Sequence, residues 1–368
     1  MGAVAAYQEA SDPSVIDLSA DENCLLREEL LESLATFFNN YFNPFISVKA
    51  EHIVVSAGVE SCLDSLLYNI CDPEDGVLMP GPCWNGCEAK FQARSVRPIT
   101  IEANGLADLF SLGILPKLEE AMNLAPCKIR AFILTNPHNS FGQCYPQDVL
   151  EECLKFCQRR GIHFISNEVY AMSSFSTADI TDPVPFISAL SLNTAELLCD
   201  RSRVHTIWSI SKDFGASGMR VGCIVSQDSA QLNVGLALTS NAQVSSLSAV
   251  FTTTLLSSHT LPFLVALNSA RLAEAYIHIT SFFIQHRIQY VPVCAGLNIF
   301  ARLAPNATTQ EEECALVQKL RNVGVIVRGG ASCYGLKLEK GWVHMTFSIE
   351  QHRLQEALRR LKTVLPLD

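Results

Sequence analysis

One stretch of the sequence, Ser209–Gly222, brings a lysine, an arginine and several serines together. It follows the apolar run Val204–Trp208, which is typical of a buried strand. A lysine at a strand end can point into a crevice, where burial and nearby cations lower its pKa and favour a Schiff base with a carbonyl. The hydroxyl of Ser209 and the forked guanidinium of Arg220 suit a phosphate. Lys212 is therefore the candidate nucleophile, although a lysine after a strand is, taken alone, more often a surface residue.

A second candidate phosphate contact lies at Gly58 and Val59. These residues open a predicted helix directly after the predicted strand His52–Ala57. Free backbone N–H groups and the helix dipole at such a position favour an anion.

The elements that position these residues alternate between short apolar runs and helical patterns. Strands are predicted at Gly76–Met79, Ile129–Thr135, Ile162–Ser166 and Met219–Ser226, besides those above. Apolar strands separated by helices indicate a largely parallel α/β sheet covered on both faces, with ligands at the strand ends. After about residue 240 the pattern becomes α+β. We predict a large domain over residues 44–240 and a smaller α+β domain formed by residues 1–43 plus 241–368.

The stretch around Lys212 resembles the S-x-S-K-x-x-G-x-x-G-x-R-x-G signature of class I/II aminotransferases, which use pyridoxal 5′-phosphate (PLP), and is nearest to 1-aminocyclopropane-1-carboxylate (ACC) synthase-like proteins. Three other segments resemble family motifs in the right order: Pro80–Trp84, Thr135–Gly142 and Phe164–Ala171. The resemblance implies PLP fold type I, with a mainly parallel seven-stranded sheet, and a homodimer.

The resemblance also implies roles for individual residues. Lys212 and Tyr170 are the expected catalytic residues, with Lys212 bonded to PLP and moving the Cα proton. Trp84 is expected to stack on the cofactor ring, and Asn139 and Tyr170 to bond the ring hydroxyl. The expected cofactor-binding residues are Gly58, Val59, Trp84, Asn139, Asn167, Tyr170, Ser209, Lys212 and Arg220. His344 and Asn23 are the expected substrate-binding residues.

Four departures from the family pattern bear on activity. Asn167 stands where the family has a carboxylate beside the pyridine nitrogen, so it cannot hold a proton there by charge. His344 replaces the arginine that binds the substrate carboxylate, and Arg328 is a candidate replacement. Glu60 stands where the family has Ser or Thr near the phosphate. No equivalent is found for the segment that usually follows residue 32, which carries a tyrosine that reaches the partner subunit.

Composition narrows the class of protein further. The 368 residues carry 27 Lys and Arg against 37 Asp and Glu, a net charge of −10, which argues against nucleic acid as a partner. The 14 cysteines are scattered without paired zinc spacing, which favours buried free thiols, no metal site and a cytoplasmic, reducing setting. No secretory signal and no apolar run of membrane-spanning length is found.

Three hypotheses remain open at this stage. The first is a PLP enzyme acting on an amino acid or an amino-acid-derived intermediate, as an aminotransferase or an ACC-synthase-like carbon–sulfur lyase in secondary metabolism. A substrate with a blocked carboxylate would explain the missing arginine. The second is a degenerate pseudoenzyme that keeps the fold as a PLP-binding or regulatory protein. The third is an unrelated use of the fold.

Overall fold

The computed structural model describes residues 25–84, 88–102, 105–240, 243–330, 333–334 and 340–365. Its helices are α1 Leu25–Tyr41, α2 Val59–Ile70, α3 Glu88–Ala93, α4 Leu106–Leu109, α5 Ile114–Leu124, α6 Gln147–Arg160, α7 Ile210–Asp213, α8 Ala230–Ser240, α9 Ser246–Leu256, α10 Leu261–Gln285, α11 Gln310–Asn322 and α12 Gln351–Val364. Its strands are β1 Ile53–Ser56, β2 Gly76–Pro80, β3 Cys83–Trp84, β4 Arg97–Ile101, β5 Ile129–Thr135, β6 His163–Asn167, β7 Val204–Ser209, β8 Gly222–Ser226, β9 Gln289–Tyr290, β10 Asn298–Arg302, β11 Arg328–Gly329, β12 Cys333–Tyr334 and β13 Trp342–Thr346.

The larger sheet has seven strands in the order β1-β8-β7-β6-β5-β2-β4. Strand β8 runs antiparallel to β1 and β7, and the remaining neighbours pair in parallel. The carboxyl ends of β1, β5, β6 and β7 therefore meet the amino end of β8 at one edge. This confirms the predicted mainly parallel sheet and fixes where its loops converge.

Helices cover both faces of this sheet because each of them buries one apolar stripe. In α2 the buried positions Cys62, Leu63, Leu66, Leu67 and Ile70 recur at helical spacing. They pack in one cluster with β-strand residues of the sheet. A separate cluster on the opposite face holds α6 and α5.

The smaller sheet is antiparallel, with four strands in the order β11-β13-β10-β9. It packs on α10, α11 and α12 through a core that includes Phe283, Ile299 and Phe347. The predicted α+β character after residue 240 is confirmed by these elements.

Helix α1 lies before the predicted domain boundary at residue 43, yet it packs on the larger sheet. The rings of Phe37 and Trp208 lie 4.6 Å apart, and Phe38 and Phe42 belong to the same cluster as Val225 of β8. The end of α9 joins this cluster as well. The division into residues 44–240 against the rest stays a prediction, and these contacts place α1 and α9 beside the large domain.

Among the described residues, no single helix is long and apolar enough to cross a membrane, whereas the pair α9 and α10, bent by 89°, passes that test on length and composition. The described cysteines carry free thiols, most of them buried. Within the same residues no group of three potential metal ligands occurs. Cys83 and Cys87 are the two cysteines whose spacing comes closest to that of a metal-binding pair, and their side chains lie outside the described part of the chain.

Candidate active site

A cavity of about 450 Å³ lies where the strand ends of the larger sheet face the smaller sheet. Lys212, Arg220, Tyr170 and Asn167 line it from the larger sheet, and His344 lines it from β13. The structure thus brings most of the sequence-predicted site residues into one pocket.

Lys212 lies on the single turn α7, directly after β7. Ser209 caps this turn by accepting a hydrogen bond of 3.3 Å from the Ser211 N–H. Burial, followed by the positive charge of Arg328, lowers the pKa of Lys212, while Glu60 acts in the opposite direction. Solvent reaches the lysine through the open pocket, but the surrounding protein atoms still disfavour its charged form.

Asp213, the residue after Lys212, is buried and anchored by two side-chain hydrogen bonds. Its carboxylate accepts hydrogen bonds from Trp208 Nε1 at 2.9 Å and Ser173 Oγ at 2.6 Å. Burial raises the pKa of Asp213 to about 7, against the hydrogen bonds that stabilise its ionised form. These bonds tie the turn that carries Lys212 to β7.

Gly58, Gly222 and Arg220 form a tight cradle at the end of β1. Gly58 has φ +86°, and a Cβ there would lie 2.6 Å from Arg220 Nη2. A Cβ on Gly222 would lie 2.7 Å from the Gly58 carbonyl carbon. The Arg220 guanidinium donates to the carbonyls of Ala57 (2.6 Å) and Ser217 (3.0 Å), which holds it beside the first turn of α2. Its other N–H groups and the α2 N-terminus suit an anion.

Asn139 and Tyr170 are joined across the ends of β5 and β6. The Tyr170 hydroxyl donates to Asn139 Oδ1 at 2.9 Å, and Asn298 Nδ2 donates to the same oxygen at 2.8 Å. Burial raises the pKa of Tyr170 above its usual range, so the phenol is neutral near pH 7. Asn298 belongs to β10 of the smaller sheet. It was not predicted as a site residue, because no motif surrounds it in the sequence.

Asn167 ends β6 and lines the pocket with an Oδ1 that is buried and has no hydrogen-bond partner among the described residues. The next residue, Glu168, does not supply the missing carboxylate. It is fully buried and accepts hydrogen bonds from Ser166, Ser188 and the Ala189 N–H. Burial raises the pKa of Glu168 to about 7 despite those bonds. Glu60 is the only carboxylate among the described residues that line the pocket.

His344 is 9% exposed and lies on β13. Burial is the main cause that lowers the pKa of His344 to about 4, and the positive charge of Arg328 adds to it. The ring is therefore neutral near pH 7 in the free protein. It is bonded to the backbone of Asn139, and its Nε2 has no partner in the described part of the chain. Because burial disfavours the imidazolium, His344 supplies no positive charge near pH 7 in the free protein, and its role in substrate binding stays a prediction.

Three other predicted residues are placed only in part. Val59 lines the pocket at the start of α2. Trp84 lies on β3, where it pairs with Cys333, but its side chain lies outside what is described. Asn23 also lies outside the described residues.

A family model for aminotransferase class I and II matches residues 22–361. The chain belongs to this family.

Similar proteins agree with that assignment. A probable aminotransferase, aclI, of Aspergillus oryzae is 43% identical over 99% of this chain and 94% of its own length. A mouse protein described as a probable inactive ACC synthase-like protein 2 is 30% identical over 91% of this chain and 58% of its own length. ACC-synthase-like proteins are thus among the relatives, as the sequence indicated. Aspartate aminotransferase from Thermus thermophilus with maleate has the same fold, with a TM-score of 0.77 at 18% identity over 92% of this chain and 82% of that one.

The aminotransferase family implies the use of PLP, and the pocket residues fit that group. A phosphate fits the Gly58–Arg220 cradle, and a ring hydroxyl fits the Asn139–Tyr170 pair. A ring nitrogen fits the side-chain amide of Asn167, because an unprotonated nitrogen would accept from Nδ2 and a protonated one would donate to Oδ1, which has no partner among the described residues. The fit at Asn167 is through a hydrogen bond and not through charge.

Proposed function

We propose that this chain is a PLP-dependent enzyme that acts at the amine-bearing carbon of an amino acid or an amino-acid-derived intermediate. The observation that carries the proposal is Lys212, which reaches the same pocket as the Asn139–Tyr170 pair and the Arg220 cradle. A lysine with a lowered pKa is the nucleophile that a carbonyl cofactor needs.

Each pocket residue has a defined task in this proposal. Arg220, Ser209 and the N-terminus of α2 hold the phosphate. Asn139 and Tyr170 orient the ring through its hydroxyl, and Asn167 hydrogen-bonds the ring nitrogen. PLP, when bound, supplies an electron sink for the bonds of the amine-bearing carbon. The Nζ of Lys212 takes the proton from that carbon and returns it, since its lowered pKa makes the neutral amine accessible.

The test is an absorbance spectrum of the purified protein with PLP, beside the variant Lys212→Ala. We expect a band that borohydride abolishes and that Lys212→Ala lacks, and a reduced adduct on the peptide that contains Lys212. Lys155→Ala is the matched control, because Lys155 is a surface lysine paired with Glu152. A folded protein without the band, or with the adduct elsewhere, contradicts the proposal.

The alternative is a protein that binds PLP without turnover. The amide of Asn167 in place of a carboxylate favours it, since an amide does not stabilise a protonated ring nitrogen by charge. A band that depends on Lys212, together with no exchange of Cα protons in any of the common amino acids, would favour this alternative. A role in secondary metabolism and carbon–sulfur lyase activity stay predictions from the sequence resemblance.

We also propose that the chain forms a homodimer. Helix α9 exposes Leu247, Val250 and Phe251, with 84%, 45% and 39% of their surface accessible. Such a patch is typical of a protein interface. Sedimentation should give twice the chain mass, and Leu247→Asp should shift the protein towards monomer. Leu124→Asp, at an exposed leucine of α5, is the control.

A further inference from the structure

The charges of the pocket are unbalanced in a way that points to an anionic ligand group. Its described lining residues include three cations, Lys212, Arg220 and Arg328, and one carboxylate, Glu60. Arg220 already donates to two backbone carbonyls. The guanidinium of Arg328, which also lines the pocket, has no hydrogen bond and no ion pair with any described residue. An arginine in a pocket with all its donors available is a ready site for a carboxylate or a phosphate.

The position of Arg328 is fixed by its strand. It lies on β11 directly opposite His344 of β13 in the antiparallel register. Besides burial, its charge lowers the pKa of Lys212 and of His344, and it partly opposes the rise that burial causes in the pKa of Tyr170. The guanidinium therefore acts on the interior of the pocket from the side of the smaller sheet.

The neighbouring histidine strengthens this assignment. His344 is more than nine-tenths buried, lines the pocket and keeps an Nε2 without a partner among the described residues. The ring is neutral and therefore supplies no charge of its own to an anion. An anion at this end of the pocket depends on Arg328 for its counter-charge.

Two separate anion sites follow from the strand order. The Gly58–Arg220 cradle lies after β1, whereas His344 is bonded to the backbone of Asn139, which follows β5. Strands β8, β7 and β6 lie between β1 and β5. At the usual strand spacing this is roughly 19 Å along the sheet edge, with Lys212 after the intervening β7. One phosphate cannot occupy both ends.

We propose that Arg328 binds the carboxylate of the amino-acid substrate, in a two-pronged contact at the end of the pocket opposite the phosphate cradle. The inference rests on the proposed function, and it makes Arg328 a specificity-determining residue. The substrate class is an α-amino acid with a free carboxylate and not one whose carboxylate is blocked as an amide or ester.

The test uses the PLP-loaded protein and the variants Arg328→Gln and Arg328→Lys. The probes are L-amino acids and their α-carboxamides, and their binding is followed through the cofactor absorbance. We expect Arg328→Gln to weaken binding of the acids roughly 10- to 100-fold, with the carboxamides unchanged. Arg328→Lys should fall between, because an ammonium keeps the charge and loses the fork. Arg321→Gln, at an exposed arginine of α11, is the control.

A second measurement does not depend on the cofactor. 3-Phenylpropionate is expected to raise the thermal stability of the PLP-free protein more than 3-phenylpropionamide does, and Arg328→Gln should abolish the difference. Arg328 is exposed, so its variants are expected to fold. Three results would each overturn the proposal. Arg328→Gln could lose affinity for acids and carboxamides equally, Arg328→Gln could lose PLP itself, or the unchanged protein could bind carboxamides more tightly than acids. Absence of any PLP band in the unchanged protein refutes the proposed function alone, and the stability measurement then decides on Arg328.

Discussion

Tyr170 donates a hydrogen bond of 2.9 Å to Oδ1 of Asn139, and Asn298 donates to the same oxygen. This one acceptor therefore joins the ends of β5 and β6 in the larger sheet to β10 in the smaller sheet. A ring held between Asn139 and Tyr170 is positioned by both sheets at once. The geometry of the pocket thus depends on contacts between elements that are far apart in sequence.

Removal of the Tyr170 hydroxyl should loosen the cofactor. In Tyr170→Phe the ring hydroxyl loses one partner, and we expect PLP affinity to fall about 5- to 10-fold, the effect of one hydrogen bond. Equilibrium dialysis of PLP measures this directly. Tyr145→Phe is the matched control, because Tyr145 lines the same pocket and its hydroxyl has no partner among the described residues. Equal affinities in Tyr170→Phe and the unchanged protein would contradict the role given to Tyr170.

The cradle at Gly58 should not tolerate a side chain. In Gly58→Ala the Arg220 guanidinium must shift, because the new Cβ would lie 2.6 Å from Nη2, and the backbone at φ +86° and ψ 175° is strained for alanine. We expect a loss of about 1 to 3 kcal/mol in stability and a loss of PLP affinity of about 10-fold or more. Gly218→Ala is the control, since a Cβ there has open space. Denaturant unfolding and PLP titration measure both, and a cofactor affinity equal to that of Gly218→Ala would refute the cradle.

The buried strands of the larger sheet and the motifs at their ends could be predicted from the sequence. The strand runs before Lys212, Asn167 and Gly58 were recognisable because buried strands are continuous and apolar. The strand ends were recognisable because their motifs resemble those of a known family. The sequence could not reveal the contact of Asn298 with Asn139 or the register of Arg328 with His344, since both arise when the smaller sheet packs on the larger one.

The sequence also could not show which sheet α1 packs on, and residues 1–43 were therefore grouped with the smaller domain. Apolar residues recur along this helix, but the sequence alone does not reveal which sheet they pack on. The packing of Phe37 against Trp208 shows that it lies on the larger sheet.

Asn167 should set the speed of proton transfer at the amine-bearing carbon. Asn167→Asp places a negative charge at the buried Oδ1, which no described residue contacts by a hydrogen bond, and this charge favours a protonated ring nitrogen. We expect exchange of the substrate Cα proton with solvent deuterium to become at least about 10-fold faster, equivalent to about 1.4 kcal/mol of barrier. Proton NMR of the amino acid follows the exchange. Asn167→Ala should be slower than the unchanged protein, and if all three proteins exchange at one rate, Asn167 does not contact the ring.

Two stacked histidines at the other end of the larger sheet should make stability depend on pH. His163 Nδ1 and His205 Nε2 lie 2.9 Å apart, and His205 Nδ1 lies 2.9 Å from Ser226 Oγ. Burial lowers the pKa of His205 to about 3 and that of His163 to about 4. The folded values lie below the unfolded value of about 6.5, so the unfolded chain takes up protons first as pH falls. The contribution to stability is therefore complete above about pH 6.5 and is lost progressively towards pH 4 and below.

Replacement of His205 isolates this effect. Between about pH 7.5 and about pH 5, the unchanged protein should lose about 2 kcal/mol more than His205→Gln, since the glutamine variant has no proton to gain at that site. The measurement is the free energy of unfolding in urea at both pH values. His352→Gln is the control for the loss of an imidazole, because the His352 side chain is 78% exposed on α12. Buried Glu168 and Asp213, with pKa values raised to about 7, act in the opposite sense but are present in every variant. The comparison between variants cancels their contribution, so equal pH dependence in His205→Gln and the unchanged protein would show that His205 is not held neutral by burial.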